Sequence, residues 1–214
     1  MTHILVFGDN ITWGAWDRRG GWVQRLRDFL DDKNLSLYEN FLEVYNMGVS
    51  ANTTKDLLKR FDFETKQRLG EEDNRIIIFA IGTNDSLYVK TKTENDPNVP
   101  LEIFQRNLNV LIRNAQKYSR NIIFIGLFPV DENMTQPFGA SKSGKCYDNE
   151  NLEKYENVIA TVSKQNRVGF VPIFSNAFRS DYKRLLEDGL HPNSEGHQKM
   201  FEIIRDYLAR NKMI

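Results

Sequence analysis

The chain has 214 residues but only one cysteine, Cys146, so it cannot form a disulfide within itself. It lacks an excess of either charge: Lys plus Arg and Asp plus Glu both total 29, and the formal net charge is zero. That balance gives no footprint for nucleic acid or an anionic membrane surface, and neither is expected as a partner. No apolar run approaches the ~18 residues that a spanning helix needs, so no membrane span is expected. The first residues show no charged segment ahead of an apolar run and no secretory cleavage site, so a cytoplasmic location is expected. Internal repeats, low-complexity tracts and linkers are missing too. The length suits one domain with a full core, so residues 1–214 are read as a single unit. Cys146 itself reads as an incidental thiol in a polar loop.

What the chain does have is a regular alternation of apolar runs and turns. Ile4-Leu5-Val6-Phe7 is too short for a helix and stops abruptly at Gly8-Asp9-Asn10, as a buried strand would. A loop, Thr12–Gly21, carries Trp13, Trp16, Arg18 and Arg19. A helix is expected over Gly21–Asp32, with Val23, Leu26, Phe29 and Leu30 on one face. Leu42–Asn46 reads as the second strand. Thr53 and Asp56 form a capping-box pattern that opens a helix over Thr54–Arg68. Arg75–Ile81 is almost wholly apolar, as expected of a central parallel strand covered on both faces. After the polar loop Ser86–Pro100, a helix places Phe104, Leu108, Leu111, Ile112 and Ala115 on one stripe. Asn121–Leu127 is the fourth strand. The long connection Phe128–Asn149 holds two prolines, two glycines and Cys146, and loops of that length are often functional. A helix over Glu150–Gln165 and a strand over Val168–Pro172 follow. Ser175–Glu187 is expected to be partly helical. The final helix has Met200, Phe201, Ile204, Tyr207 and Leu208 as its apolar stripe. Right-handed crossovers then leave few alternatives to an α/β three-layer sandwich: five parallel strands in the order 2-1-3-4-5, with helices on both faces.

In such a sheet the carboxyl ends of the strands converge on one edge, where sites are built. Four turns lead there: Gly8-Asp9-Asn10, Gly48, Gly82-Thr83-Asn84-Asp85 and Asp188-Gly189-Leu190-His191. Of the three histidines, His3 opens the first strand at the far end and His197 lies within the last helix, which leaves His191. Asp188, three residues earlier, can fold onto its ring, fix the tautomer and stabilise the imidazolium. The alternative is a turn leading into the last helix, capped by Asn193 or Ser194. Gly48 offers an unshielded backbone N–H and Asn84 a side-chain amide. They are either ordinary turn chemistry or two donors aimed at a developing oxyanion.

These residues resemble the SGNH hydrolases, also called GDSL esterases and lipases. The family's Gly-Asp-Ser-Leu-Thr block is matched by Gly8-Asp9-Asn10-Ile11-Thr12. Its second-block glycine is matched by Gly48 after Asn46-Met47, its Gly-x-Asn-Asp by Gly82 to Asp85, and its Asp-x-x-His-Pro by Asp188 to Pro192. One block would be weak, but order and spacing agree over essentially the whole chain. The resemblance implies a flavodoxin-like sandwich and ester hydrolysis through a Ser-His-Asp triad, with no metal and no organic cofactor. It places Asp188 and His191 as orienter and base. It makes the N–H groups of Asn10 and Gly48 and the Asn84 amide the oxyanion donors, with Asp9 and Asp85 in support.

One position departs from the pattern: the family's serine falls on Asn10. A carboxamide nitrogen has a delocalised lone pair, and His191 cannot make it a nucleophile. Thr12, Ser50 and Ser86 lie nearby in sequence, but none occupies the strand-turn position that presents the nucleophile. Asn10 is either native, in a member that lost or changed the reaction, or a substitution in an ordinary esterase. The expected function is therefore an acyl-ester hydrolase acting on a small-molecule carboxylic ester, acyl thioester or acetylated sugar, impaired by Asn10. The alternative is an inactive member that binds a carboxylate or ester. Trp13, Trp16 and Trp22 either line its pocket or pack the first helix onto the sheet. A nucleotide site is disfavoured, because the turn after the first strand is acidic and not glycine-rich.

Overall fold

Neighbouring residues of the first strand enter different cores, because strand side chains alternate between faces. Ile4 and Val6 pack with Trp22, Leu26 and Met200, whereas Leu5 and Phe7 pack with Phe61, Phe104 and Ile159. The structure is a computed structural model and describes residues 1–38, 41–70, 74–90, 96–174 and 181–214.

The main sheet has five strands: β1 (Thr2–Gly8), β2 (Leu42–Gly48), β3 (Asn74–Ala80), β4 (Asn121–Ile125) and β5 (Gly169–Val171). All pair in parallel, in the order β2-β1-β3-β4-β5, as the crossover argument requires. The major helices are α1 (Gly21–Leu37), α2 (Thr54–Lys66), α3 (Leu101–Ala115), α4 (Asn149–Asn166) and α5 (Ser194–Arg210). α1 and α5 supply one core cluster, and α2, α3 and α4 supply the other. The result is the three-layer, flavodoxin-like α/β sandwich. Gly8 pairs with Gly48 on one side and with Ala80 on the other, so the ends of β1, β2 and β3 are level. The turns that follow these strands therefore open at the same height.

Boundaries move where a side chain competes with the local pattern. β4 stops at Ile125, short of Leu127, because the Leu127 N–H donates to the buried Glu156 carboxylate at 2.7 Å. α1 runs on to Leu37, past Asp32. Asn34 joins it to β2 by exchanging two hydrogen bonds with the Leu42 backbone, at 2.9 and 3.0 Å. Of Ser175–Glu187, Tyr182–Leu185 form a 3₁₀ turn, and 175–180 lie outside the described residues.

The long connection is more ordered than its composition implies. Glu132–Thr135 form a helical turn, and Lys145–Cys146 pair antiparallel with Tyr88–Val89. Cys146 is therefore not a loop thiol: it is fully buried on this ribbon. Among the described residues no helix is long and apolar enough to cross a membrane.

Candidate active site

The turn after β1 is tight because Gly8 has no side chain. A Cβ there would lie 2.0 Å from Thr12 Oγ1 and 2.4 Å from the Ala80 carbonyl oxygen. Asp9 caps the helical turn Asn10–Trp13 by accepting the Ile11 N–H at 3.0 Å. Asn10 is thus presented at the carboxyl edge of the sheet on a short, fixed turn.

The Asp188–Leu190 turn brings His191 to the same point. Asp188 Oδ1 accepts the backbone N–H groups of Leu190 and His191, at 3.1 and 2.8 Å. Its Oδ2 lies 2.8 Å from His191 Nδ1. The capping duty falls instead on Asn193, whose Oδ1 accepts from Glu195 and Gly196 at the start of α5. Burial pushes the Asp188 carboxyl up, but the bonds to the His191 ring and backbone outweigh it and hold it below the usual carboxylate range.

Trp16 Nε1 also lies 3.1 Å from Nδ1. One ring nitrogen cannot both donate to Asp188 and accept from Trp16. The ionised carboxylate is the stronger partner, so the proton sits on Nδ1. Nε2 then keeps its lone pair, and the Asn10 side-chain amide donates to it. Asn10 Oδ1 in turn accepts from Asn84 Nδ2 at 3.2 Å. The carboxamide therefore spans His191 and Asn84, the residues expected as base and oxyanion donor.

Asn84 is oriented from behind. Tyr147 OH donates to its Oδ1 at 3.3 Å, which turns its Nδ2 toward Asn10, Asp9 and the Asn52 carbonyl. Asp85 does not face the cleft. It accepts the Thr54 N–H and hydroxyl, and so pins the β3 turn to the start of α2. Both carboxyls are buried, and desolvation dominates: Asp9 is pushed up to about 6 and Asp85 to about 7. They support the site by holding its turns.

Gly48 is a correction. Its N–H donates to Asn46 Oδ1 at 3.0 Å, and it lines a separate recess with Arg60 and Phe63. The end of β2 continues through Val49, and Ser50 and Ala51 both line the cleft with Asn10 and Asn84. Ala51 has φ +62°, in the left-handed region where side chains are disfavoured. No residue type marks that position in the sequence, because the deviation lies in the backbone.

The other hydroxyls are committed or displaced. Thr12 donates to the Ala80 carbonyl and Ser86 to the Thr83 carbonyl, both away from His191. Ser50 lines the cleft but lies beyond β2, apart from the turn that presents Asn10.

The tryptophans divide. Trp22 is fully buried in the core, while Trp13 and Trp16 are 55% and 62% exposed and line the cleft. The loop that bears them is anchored by Asp17, which accepts from Arg19 N–H, Gly21 N–H and the buried Arg25. Arg25 continues to Ser194 and Gln198 on α5. Burial raises the Asp17 carboxyl, but Arg25 and the backbone donors bring it down to about 2.

The cleft has a volume of about 540 Å³. Its far wall, which the sequence did not identify, is the hairpin Phe138–Lys145 together with Tyr147. Only the length of the Phe128–Asn149 connection hinted at it. Among the described residues no group of three or more His, Cys, Asp or Glu side chains is placed to hold a metal ion.

A family model described as GDSL-like lipase/acylhydrolase matches residues 4–204. No curated protein gives a significant match. Among solved structures, a lipase/acylhydrolase from Enterococcus faecalis is 22% identical, with 97% of this chain and 95% of that one covered, at TM-score 0.73. An acetylxylan esterase from Geobacillus stearothermophilus is 20% identical over 95% and 92% of the two chains, at TM-score 0.68. A member of the lipolytic G-D-S-L family from Veillonella parvula is 17% identical over 98% and 100%, at TM-score 0.69. At these identities the structural likeness speaks for the fold.

Proposed function

The chain belongs to the GDSL-like lipase/acylhydrolase family, and from that premise we propose that its cleft is an ester-hydrolase site in which Asn10 stands at the nucleophile position and impairs turnover. The observation that carries this reading is the Asn10 carboxamide held between His191 Nε2 and Asn84 Nδ2. Its nitrogen occupies the place from which a serine hydroxyl would give its proton to the base. Its oxygen engages a donor that would otherwise serve the substrate oxyanion.

With a serine at position 10, the hydroxyl oxygen would attack the ester carbonyl and its proton would pass to His191 Nε2. Asp188 would stabilise the imidazolium. The oxyanion would be met by Asn84 Nδ2 and by backbone N–H groups of the turns at residues 10 and 51. The imidazolium would return the proton to the departing alcohol or thiol. Water, activated by the same histidine, would then release the acid. Carboxylic esters and acyl thioesters both suit this chemistry, and acetylated sugars are a natural class for a cleft edged by Trp13 and Trp16.

A second reading is favoured by the same contact. Asn10 already satisfies His191, which suits a family member that holds a carboxylate or ester without turning it over. The two readings separate on Asn10→Ser. Restored hydrolysis of short p-nitrophenyl esters supports the impaired-enzyme reading. A folded but inert Asn10→Ser protein, tested on short esters, acyl thioesters and acetylated sugars, supports the binding reading.

A further inference from the structure

The hairpin that borders the cleft beside His191 is built to stay in place. Phe138 N–H donates to the Lys145 carbonyl at 2.8 Å, and Ser141 N–H to the Phe138 carbonyl at 2.9 Å. Ser141 Oγ accepts the Lys145 N–H at 3.1 Å, and Lys145 pairs with Val89 across the small ribbon. At its base the Phe138 ring lies 6.0 Å from the His191 ring, edge to face. The Lys142 and Lys145 backbones are therefore held at a defined place in the cleft wall next to the base.

The charge of this wall is one-sided. The cleft is lined by Lys142 and Lys145, and none of its lining residues is Asp or Glu. Neither lysine has an ion-pair partner among the described residues. Lys59, Lys66, Lys154 and Lys183 are paired with carboxylates, while Lys55, Lys164 and Lys199, like these two, have no ion pair among the described residues; what sets Lys142 and Lys145 apart is their place in the cleft. The acidic groups lie on the other side of Trp16, in a recess lined by Asp17, Glu187 and Asp188. Of these, Asp17 is paired with Arg25 and Asp188 with His191. The chain as a whole has zero formal charge, so the two lysines are not part of a general positive bias.

We infer that the cleft selects an ester carrying a negative charge, held by Lys142 and Lys145 while its carbonyl faces His191; this rests on the ester-site reading above. Two positive charges with no ion-pair partner among the described residues line one cleft, and a cleft focuses their field on an anionic ligand more than an open surface would. The aromatic faces of Trp13, Trp16 and Phe138 and the hydroxyls of Ser141 and Ser143 supply the uncharged remainder of the lining.

The test uses 4-acetoxybenzoate and its uncharged methyl ester, which share the same acetyl group. Binding to the chain as it stands is followed by NMR titration at low salt. Turnover is followed in Asn10→Ser. The carboxylate form should bind about tenfold more tightly, with the advantage shrinking as salt rises. In Asn10→Ser the kcat/KM ratio of anionic to neutral ester should favour the anion to a similar degree. In Lys142→Gln/Lys145→Gln the preference should fall to about one, and Lys145→Glu should reverse it. Equal binding of the two esters, or a preference that survives the double substitution, overturns the inference. If Asn10→Ser is inert toward both esters, the ester-site reading fails. The binding ratio and its dependence on the lysines still decide whether the cleft selects anions.

Discussion

The Asn10 side-chain amide donates to His191 Nε2, and Asp188 holds the opposite ring nitrogen at 2.8 Å. His191 is therefore oriented as the base of a serine hydrolase would be, with its Nε2 lone pair already engaged by Asn10.

Asn10→Ser should raise hydrolysis of a short p-nitrophenyl ester by on the order of 10³-fold or more, since loss of a nucleophile removes most of the acceleration in such sites. It should also create sensitivity to phosphonylating reagents, with the label on residue 10. Adding His191→Ala to Asn10→Ser should abolish the gain. If the chain as given already hydrolyses these esters at serine-hydrolase rates, the assignment of position 10 fails.

Asp188→Asn in the Asn10→Ser background probes the tautomer. An amide at position 188 can donate to Nδ1 and drive the proton onto Nε2, where no base remains. The expected loss in kcat is roughly 10⁴-fold, with KM changed far less. A comparable loss in KM alone would mean that Asp188 shapes binding and not the base.

Asn10→Ala tests whether the carboxamide fills the site. Removing it releases Asn84 Nδ2 from Asn10 Oδ1, leaving its contacts with Asp9 and the Asn52 carbonyl, and opens room for an anion beside that donor. Acetate should then bind about tenfold more tightly than to the unaltered chain, a gain of about 1.4 kcal/mol. NMR titration of the His191 ring resonances would read this, and unchanged affinity would show that the donors were already open.

Two buried groups set opposing pH trends in stability. His197 is fully buried, and burial lowers its pKa from 6.5 to about 4 against the opposing effects of Asp17 and a backbone hydrogen bond at Ala15. It stays neutral in the fold while the unfolded chain takes a proton, so its contribution is lost as pH falls from about 6.5 through 4, by about 3 kcal/mol at most. Asp85 has the opposite sign. Its folded pKa is raised to about 7, so its contribution is full below about 4 and is lost as pH rises through 7. Denaturant midpoints measured from pH 4 to 8 should show His197→Phe removing a gain in stability on going from pH 4 toward neutrality and Asp85→Asn removing a loss over the same range. Parallel profiles in all three proteins would refute both assignments.

The apolar runs and the turns that stop them determined the sheet order and the two-sided core by themselves. The unbroken burial of Ile4 to Phe7 in β1 and of Ile76, Ile77, Ile78 and Phe79 in β3 are local properties of short apolar segments. The pairing of Asp188 with His191 was legible for the same reason: three residues of separation bring the two side chains together within one turn. Gly48 was misplaced because a glycine's N–H is available only if nothing nearby claims it, and Asn46 does so across two residues. Tertiary structure alone decided three further matters. The left-handed backbone of Ala51 is set by how β2 runs into its turn, not by the identity of the residue. The hairpin that carries Lys142 and Lys145 reaches the cleft because its ribbon pairs with Val89, more than fifty residues earlier in the chain. And the seating of Asn10 against both His191 and Asn84 depends on three turns from β1, β3 and the segment before α5 converging at one height, which the level register of the parallel strands imposes.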